Sequence, residues 1–313
     1  MRSGLPSSLL GAAVSEGTCR PLGTDPLLRE NLGEGVELAA DDREALVSVA
    51  RVGRFRICEG GEVIVERDPR ATEGELGVWL NGLVAVMLLG QQGCAALHAS
   101  ALKVSGVTLA VAGSGGAGKS TTALELARRG HSLLADDVLP VRRSDGGGGS
   151  EFFVEPFGRP FHLSAESFAS VGMTVPAGAR SSPKSEKLEV PLAPAPHSGL
   201  DAIVVLEVVP QPAEGAHGVR TEPVAPVAAI ALLTEHASAS HLHRRLWPEQ
   251  LFRWSSGLAS SVPVYRLARP GGRRTVREVG DAVEQLVADL VTPGRVAAPA
   301  LTVPPASRST RPM

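Results

Sequence analysis

The sequence predicts an α/β fold with a mixed β-sheet, and three observations support that prediction. The apolar run 107–112 has the β-branched character of a buried strand. Residues 120–129 supply strong helix formers and end in two arginines followed by a glycine, as helix C-termini commonly do. Later in the chain come an apolar strand over 202–209 and an amphipathic helix over 275–291. Strands that alternate with helices are typical of α/β domains.

A glycine-rich loop with the pattern G-x-x-x-x-G-K-S joins the first of these strands to its helix. Backbone N–H groups of such a loop, together with the helix N-terminus, bind phosphate oxygens. The pattern predicts that Lys119 reaches the β- and γ-phosphates of ATP and that the Ser120 hydroxyl binds Mg²⁺. The nucleotide-binding residues predicted here are Gly113, Ser114, Gly115, Gly116, Ala117, Gly118, Lys119, Ser120 and Thr121. The choice of ATP over GTP stays open.

Composition limits the classes of partner. The formal net charge of −2 gives no reason to expect nucleic acid or an anionic membrane surface as the main partner. The longest apolar stretch, over 79–89, contains Asn81 and is shorter than a bilayer-spanning helix. Three widely spaced cysteines are expected to be reduced thiols, which favours a cytoplasmic protein.

The chain is predicted to divide into three parts. Residues 1–45 show poor periodicity and are expected to be irregular, 46–292 form one catalytic domain, and 293–313 form a Pro-, Ala- and Arg-rich disordered tail. The catalytic domain opens with a small hairpin over 54–66 and a helix over 71–89.

The rest of the domain alternates in the same way. The further strands predicted are 97–104, 107–112, 133–135 paired with 138–141, a broken strand over 152–163, 202–209 and 262–267. Residues 174–199 are expected to form a loop, and helices are expected over 225–235, 242–258 and 275–291.

Two adjacent acids, Asp136 and Asp137, follow the strand 133–135. A carboxylate beside a phosphate-binding loop commonly holds the Mg²⁺ shell. The second acid permits a division of labour in which one carboxylate faces the metal and the other accepts a proton from an incoming hydroxyl. His98 begins the strand that leads back toward the loop, and it either tunes a carboxylate or has a structural role.

These segments resemble a known family. LHASAL over 97–102, followed by GSGGAGKSTTALELARRGHSLLADD over 113–137, is similar to the catalytic core of the HPr serine kinase/phosphorylase family and its smaller relatives. The resemblance is tight over 98–142 and loose over 50–290, where it extends to HPr-kinase-like proteins of biosynthetic gene clusters. It implies the mixed-sheet phosphate-loop kinase core of the HPr kinase/PEP-carboxykinase-like type.

The resemblance also implies residue roles. Asp136 would be the general base, Asp137 would assist with metal or water, and His98 would tune the carboxylate. Glu155 matches by position a later acid that family members use near the metal, so the implied metal set is Ser120, Asp137 and Glu155. Lys184 and Lys187 would either meet the transferred phosphate or lie in a solvated loop.

The implied reaction is transfer of the γ-phosphoryl group of ATP, as Mg·ATP, to the Ser hydroxyl of a small protein or precursor peptide. Two alternatives remain open: a kinase of a small-molecule alcohol, and a nucleotide-binding regulatory ATPase without a phosphoacceptor. Relatives often assemble into rings or dimers, so a homo-oligomer is possible.

Overall fold

The computed structural model describes residues 5–23, 26–144, 151–182, 186–193, 195–210, 218–272 and 274–292. Its N-terminal part is a seven-stranded sheet with the order β1-β2-β7-β6-β5-β4-β3. All neighbours in this sheet are antiparallel except β2 and β7. The strands are β1 (Ser8–Leu9), β2 (Ala12–Glu16), β3 (Leu28–Gly33), β4 (Val36–Ala40), β5 (Glu44–Val49), β6 (Gly53–Cys58) and β7 (Glu62–Arg67).

The predicted hairpin is confirmed as β6 and β7, but the expectation of an irregular segment over 1–45 is wrong for the described residues. Strands β1 to β4 lie there, and β5 begins at Glu44. These strands are only two to six residues long, and tight glycine turns separate several of them. Short strands of this kind carry little periodic signal, and they gain order by pairing with the hairpin. The N-terminal region is therefore larger than a hairpin and a helix.

One long helical stretch, Glu73–Gln91, covers this sheet. It consists of α1 (Glu73–Trp79), a π-helical turn over Leu80–Val84 and α2 (Ala85–Gln91), with a kink at Gly82. Thr72 and Glu75 form a capping box at its start. This stretch of 19 residues is long and apolar enough to cross a membrane by length and composition alone, and it is longer than the apolar run 79–89. Its apolar side chains pack in the same core cluster as the sheet, as in a core helix of the fold.

The remaining strands form three further sheets. In chain order they are β8 (Ala95–Leu97), β9 (Ala99–Val104), β10 (Val107–Gly113), β11 (Ser132–Ala135), β12 (Leu139–Arg143), β13 (Phe152–Val154), β14 (Phe161–Leu163), β15 (Arg180–Ser181), β16 (Leu188–Val190), β17 (Ser198–Gly199), β18 (Ala202–Val209), β19 (Arg220–Pro223) and β20 (Val264–Pro270). The remaining helices are α3 (Lys119–Arg128), α4 (Ala165–Val171), α5 (Pro226–Glu235), α6 (Ser240–Leu246), α7 (Pro248–Ser261) and α8 (Val276–Val291).

The central sheet has six strands in the order β11-β9-β10-β18-β20-β19. Strands β10, β18 and β20 are parallel to one another. Strand β9 pairs antiparallel with both β10 and β11, and β19 pairs antiparallel with β20. The mixed α/β fold predicted from the sequence is confirmed. Two smaller sheets flank it, with the orders β17-β13-β12-β8 and β14-β16-β15.

Helices cover both faces of the central sheet, which explains why β10 and β18 are mostly apolar on both faces. Leu109 and Val111 point to a core cluster shared with α3, α4 and α8. Ala110 and Ala112 point to the opposite cluster, shared with α5, α7 and the four-stranded sheet. This alternation follows the two-residue period of a strand. The arrangement holds the end of β10, and the loop that follows it, in a fixed position.

Two local predictions need correction. The segments 133–135 and 138–141 do not pair with each other, because β11 pairs with β9 whereas β12 pairs with β8 and β13. Asp137 stands between them with a φ of 72°, which turns the chain from one sheet into the next. The expected loop 174–199 contains the short strands β15, β16 and β17. The three cysteines are free thiols, as predicted, and the predicted tail 293–313 lies outside the described residues.

Candidate active site

The glycine-rich loop connects β10 to α3. Gly113 has a φ of 144°, and a Cβ atom there would lie 2.6 Å from the backbone oxygen of Leu206. Gly118 takes a left-handed conformation at the N-terminus of α3. Glycine is therefore required at both ends of the loop. The Lys119 Nζ atom donates to the Gly113 oxygen at 2.7 Å and to the Ser114 oxygen at 3.3 Å, so its side chain folds back over the loop. Burial lowers the pKa of Lys119.

Asp136 lies buried next to the loop, with 2% of its surface exposed. Its Oδ1 atom accepts hydrogen bonds from the Ser100 hydroxyl at 2.6 Å and from the Ser120 hydroxyl at 3.3 Å. The backbone N–H of His162 donates to Oδ2 of Asp136 at 3.3 Å. Burial raises the pKa of Asp136, because these neutral donors offset only part of the cost of burying a charge. The structure thus brings Asp136, rather than Asp137, into contact with Ser120.

Asp137 faces the other way and lies between two basic side chains. Its Oδ1 atom is 2.9 Å from Nδ1 of His98, and its Oδ2 atom accepts a hydrogen bond from Arg159. Burial would raise the pKa of Asp137, but the hydrogen bond from His98 and the positive charge of Arg159 outweigh it and hold the pKa well below its usual range. This carboxylate is therefore ionised over the whole neutral range.

His98 stands between β8 and β9. The backbone N–H of His98 donates to the backbone oxygen of His236 at 2.8 Å, and 42% of the His98 side chain is exposed. One ring nitrogen is engaged by Asp137, and the ring lines a cavity of about 480 Å³ around the phosphate-binding loop. We call this the loop cavity. The structure brings His98, both acids and the residues Lys119, Ser120 and Thr121 together around it.

Glu155 does not join this group. Its carboxylate accepts a hydrogen bond from Arg142 and lies 3.8 Å from His197, and it does not line the loop cavity. The structure therefore does not bring together the metal set Ser120, Asp137 and Glu155. Lys187 lines the loop cavity, whereas Lys184 lies outside the described residues.

Several residues at the site were not predicted from the sequence. Arg159 holds Asp137 and donates to the Asn81 oxygen at 2.6 Å, which joins the site to the N-terminal helix. Ser100 and His162 hold Asp136. Arg269 on β20 donates to the Ala117 oxygen at 2.9 Å. The short F-G-R-P run around Arg159 indicated only a broken strand, and no local pattern marked Arg269.

Comparison with known proteins agrees with this geometry. The family model described as HPr Serine kinase C-terminal domain matches residues 92–150, which contain His98, the loop and both acids. The HPr kinase/phosphorylase of Clostridium botulinum (strain Eklund 17B / Type B) is 50% identical over 50 residues, covering 16% of this chain and 16% of that protein.

Residues 92–150 are HPr kinase-like. The HPr kinase/phosphorylase of Enterococcus faecalis (strain ATCC 700802 / V583) is 40% identical over 86 residues, covering 26% of this chain and 25% of that protein. The matches thus span a quarter or less of these relatives' own length. The solved structure of the Hpr(Ser) kinase/phosphatase from Coxiella burnetii aligns with a TM-score of 0.29 and 14% identity, covering 62% of this chain and 93% of that chain.

The HPr kinase-like core carries oxygen donors suited to a magnesium ion. Ser120 supplies a hydroxyl and Asp136 a carboxylate, and these two side chains are already in contact. Among the residues that the structure describes, no group of three or more His, Cys, Asp or Glu could hold a metal. Magnesium commonly takes one or two carboxylates and completes its shell with water and substrate phosphates, so this sparse donor set fits Mg²⁺ bound with a nucleotide.

A second cavity, of about 510 Å³, lies beyond Asp137 and is bounded by the segment between α5 and α6. We call it the α5–α6 cavity. It shares His98, Asp137 and Arg159 with the loop cavity, so these three side chains form a wall between the two spaces. Two backbone hydrogen bonds, His98 to His236 and Ser238 to Ala96, hold the segment against β8. A group bound in either cavity would meet the His98–Asp137 pair.

Proposed function

We propose that this chain is an ATP-dependent kinase that transfers the γ-phosphoryl group to the Ser hydroxyl of a small protein or precursor peptide. The observation that carries the proposal is the pair of oppositely directed acids: Asp136 touches Ser120, and Asp137 touches His98. A switch ATPase without an acceptor needs the first contact only. The names of the relatives, HPr kinase/phosphorylase, support the same reaction class.

The chain's own residues divide the work between two sides. Backbone N–H groups of the loop and the Lys119 ammonium bind the β- and γ-phosphates, while Ser120 and Asp136 hold the magnesium side. Bound Mg²⁺ supplies charge neutralisation at the phosphate oxygens. The buried charge of Asp136 fits this role, because a nearby cation offsets the cost of burying an ionised carboxylate.

The acceptor side belongs to His98 and Asp137. Asp137 orients the imidazole through Nδ1 and stabilises its charged form, so the second ring nitrogen accepts the proton of the incoming hydroxyl. The hydroxyl oxygen forms a bond to the γ-phosphorus as the bond to the β-phosphate oxygen breaks, and ADP leaves. This division differs from the roles inferred from sequence, in which Asp136 was the base and His98 a tuning residue.

The proposal is tested by incubating the full chain with Mg·ATP and candidate acceptors, followed by mass spectrometry. The probes are purified HPr and the Ser-containing peptides encoded beside the gene. We expect the gain of one phosphoryl group on a serine, dependent on Lys119. Consumption of ATP without any phosphorylated probe would contradict a peptide or protein acceptor, and absence of both ATP binding and consumption would contradict the kinase assignment.

A second candidate, a kinase of a small-molecule alcohol, is favoured by the dimensions of the α5–α6 cavity. Its volume of about 510 Å³ lies within the usual range of small-ligand sites, which is about 300–1,000 Å³. Phosphorus NMR of the same reaction with a small-alcohol library distinguishes the candidates, because a new phosphomonoester signal in the absence of peptide supports the small acceptor. Cytoplasmic location and a homo-oligomer stay predictions.

A further inference from the structure

A third cavity, of about 340 Å³, lies on the side of the phosphate-binding loop away from His98. We call it the α8 cavity. It shares Gly116, Gly118, Thr121, Ser164 and Ser167 with the loop cavity, but neither His98 nor Asp137 lines it. The loop and the first turn of α3 therefore separate the α8 cavity from the acid–histidine pair.

This order fixes the direction of a bound nucleotide. A nucleoside triphosphate is a linear molecule, and its γ-phosphate must lie near His98 and Asp137 for transfer to occur. The β-phosphate lies over the loop, where the N–H groups of the helix N-terminus converge. The remaining end of the molecule must then leave the loop on the Thr121 side, which opens into the α8 cavity.

Besides the Glu166 carboxylate, the lining of the α8 cavity carries cationic, hydroxyl and apolar groups suited to this end. Arg269 has no carboxylate partner among the described residues, since its side chain donates only to the backbone oxygens of Gly116 and Ala117. Arg274 lines the same space. Thr275 is 3% exposed, and its hydroxyl has no hydrogen-bond partner among the described residues.

The first turn of α8 adds further binding groups. Among the described residues no side chain caps this helix, which begins directly after Thr275 at the edge of the cavity. Val276 and Val279 supply apolar surface on the same wall, and Ser164, Ser167 and Ser170 supply hydroxyls on the opposite wall. The volume is within the range of about 300–1,000 Å³ expected for small-ligand sites.

We infer that the α8 cavity binds the nucleoside end of the nucleotide, with Arg269 and Arg274 beside the α-phosphate, hydroxyl side chains at the ribose, and the valines of α8 against the base. The inference rests on the proposed function. It assigns nucleotide affinity to residues far along the chain from the loop, on β20 and α8.

The test compares two ligands that differ only in the nucleoside. Binding of Mg·ATP and of Mg·tripolyphosphate to the full chain is measured by titration calorimetry. We expect ATP to bind about tenfold more tightly or better, which corresponds to about 1.4 kcal/mol from the nucleoside. The variant Val276→Trp fills the cavity, so it should weaken ATP binding about tenfold and change tripolyphosphate binding by less than about twofold.

The matched control is Val291→Trp, the same substitution on the same helix at a residue that is 60% exposed, which should bind both ligands as the unmodified chain does. Equal affinity of the unmodified chain for both ligands, or unchanged ATP binding in Val276→Trp, would overturn the inference and leave the kinase proposal standing. Failure of the unmodified chain to bind either ligand would contradict the proposed function itself. If Val276→Trp loses both ligands, Ser170→Trp fills the cavity from α4, and loss of both ligands there too would overturn the inference.

Discussion

The Nδ1 atom of His98 lies 2.9 Å from the Oδ1 atom of Asp137, and Arg159 binds the other oxygen of the same carboxylate. The imidazole comes from the junction of β8 and β9, whereas the acid comes from the turn after β11. A carboxylate with one oxygen held by a histidine and the other by an arginine is a weak base, as its lowered pKa shows. It is therefore better suited to orienting the imidazole than to accepting a proton itself.

Replacement of His98 by alanine should lower kcat by about 100-fold or more, because general bases typically contribute 10²–10⁴-fold. The KM for ATP should change little, since the His98 ring is held by Asp137 and not by a residue of the phosphate-binding loop. The measurement is the pH–rate profile of both proteins. The ionisation that limits kcat in the unmodified enzyme should be missing from His98→Ala, and an unaltered profile would return His98 to a structural role.

The two acids should separate by phenotype. Asp136→Asn removes charge next to Ser120, so Mg·ATP binding should weaken, whereas Asp137→Asn should keep that binding and lose phosphoryl transfer. Calorimetry gives the first quantity and single-turnover kinetics the second. The opposite result, in which Asp136→Asn binds Mg·ATP normally but fails to transfer, would restore the sequence-based assignment of Asp136 as the base.

The same two substitutions should have opposite effects on the stability of the ligand-free protein. The pKa of Asp136 is raised in the folded state, so its ionised form is destabilising above the ordinary aspartate pKa of about 4, and Asp136→Asn should raise the Tm at neutral pH. The pKa of Asp137 is lowered, so its ionisation stabilises the fold above the ordinary pKa. This contribution declines below the ordinary pKa and is lost only as the pH falls through the lowered pKa of the folded state.

Asp137→Asn should therefore lower the Tm at neutral pH, and this difference should shrink only in strong acid, well below the ordinary pKa. Thermal unfolding monitored by circular dichroism, from neutral pH down to about pH 2, checks both signs. A lower Tm for Asp136→Asn at neutral pH would mean that its hydrogen bonds with Ser100 and Ser120 outweigh the cost of the buried charge. Asp136 would then contribute both to the stability of the fold and to Mg·ATP binding.

The sequence predicted the centre of the site because that part is local. Strand, loop and helix follow one another over 107–129, and each has its own signal in residue type. The acids and His98 were also found, since they lie at the ends of strands adjacent to the loop. Their separate roles were not, because the turn at Asp137, with its positive φ, decides which acid faces Ser120.

The residues that sequence reasoning missed come from distant segments. Arg269 reaches the loop only because β20 lies two strands from β10 in the sheet, across β18. Arg159 reaches Asp137 from an irregular segment held between prolines 156 and 160. Such contacts depend on strand order, which no local periodicity encodes. The N-terminal sheet was missed for a related reason, because its short strands are ordered by their partners.

Lys119→Ala should abolish nucleotide turnover without unfolding the protein. The ammonium is the only side-chain cation that the described loop and the first residue of α3 provide, and loss of one preorganised charge contact of this kind typically costs about 10²–10³-fold in rate. Lys103→Ala, on the exposed side of β9, is the matched control and should retain full activity. ATP hydrolysis and transfer are measured for both, and unchanged turnover in Lys119→Ala would contradict the loop assignment.

Arg269 should act on the nucleotide rather than on the acceptor. Its Nε–H donates to the Ala117 oxygen at 2.9 Å, so the side chain ties the loop to β20, and Gly118 lies next to its guanidinium. Arg269→Ala should raise the KM for ATP about tenfold and change the KM for the acceptor little, because the guanidinium lies across the loop from His98.

Arg269→Lys should recover only part of the affinity, since a single ammonium cannot reproduce the planar fork that reaches both Ala117 and Gly116. Arg266→Ala is the control on the same strand, because Arg266 pairs with Glu207 instead of the loop. Steady-state kinetics with each substrate varied in turn separate the two constants. An increase in the acceptor KM alone would show that Arg269 serves the other side of the reaction.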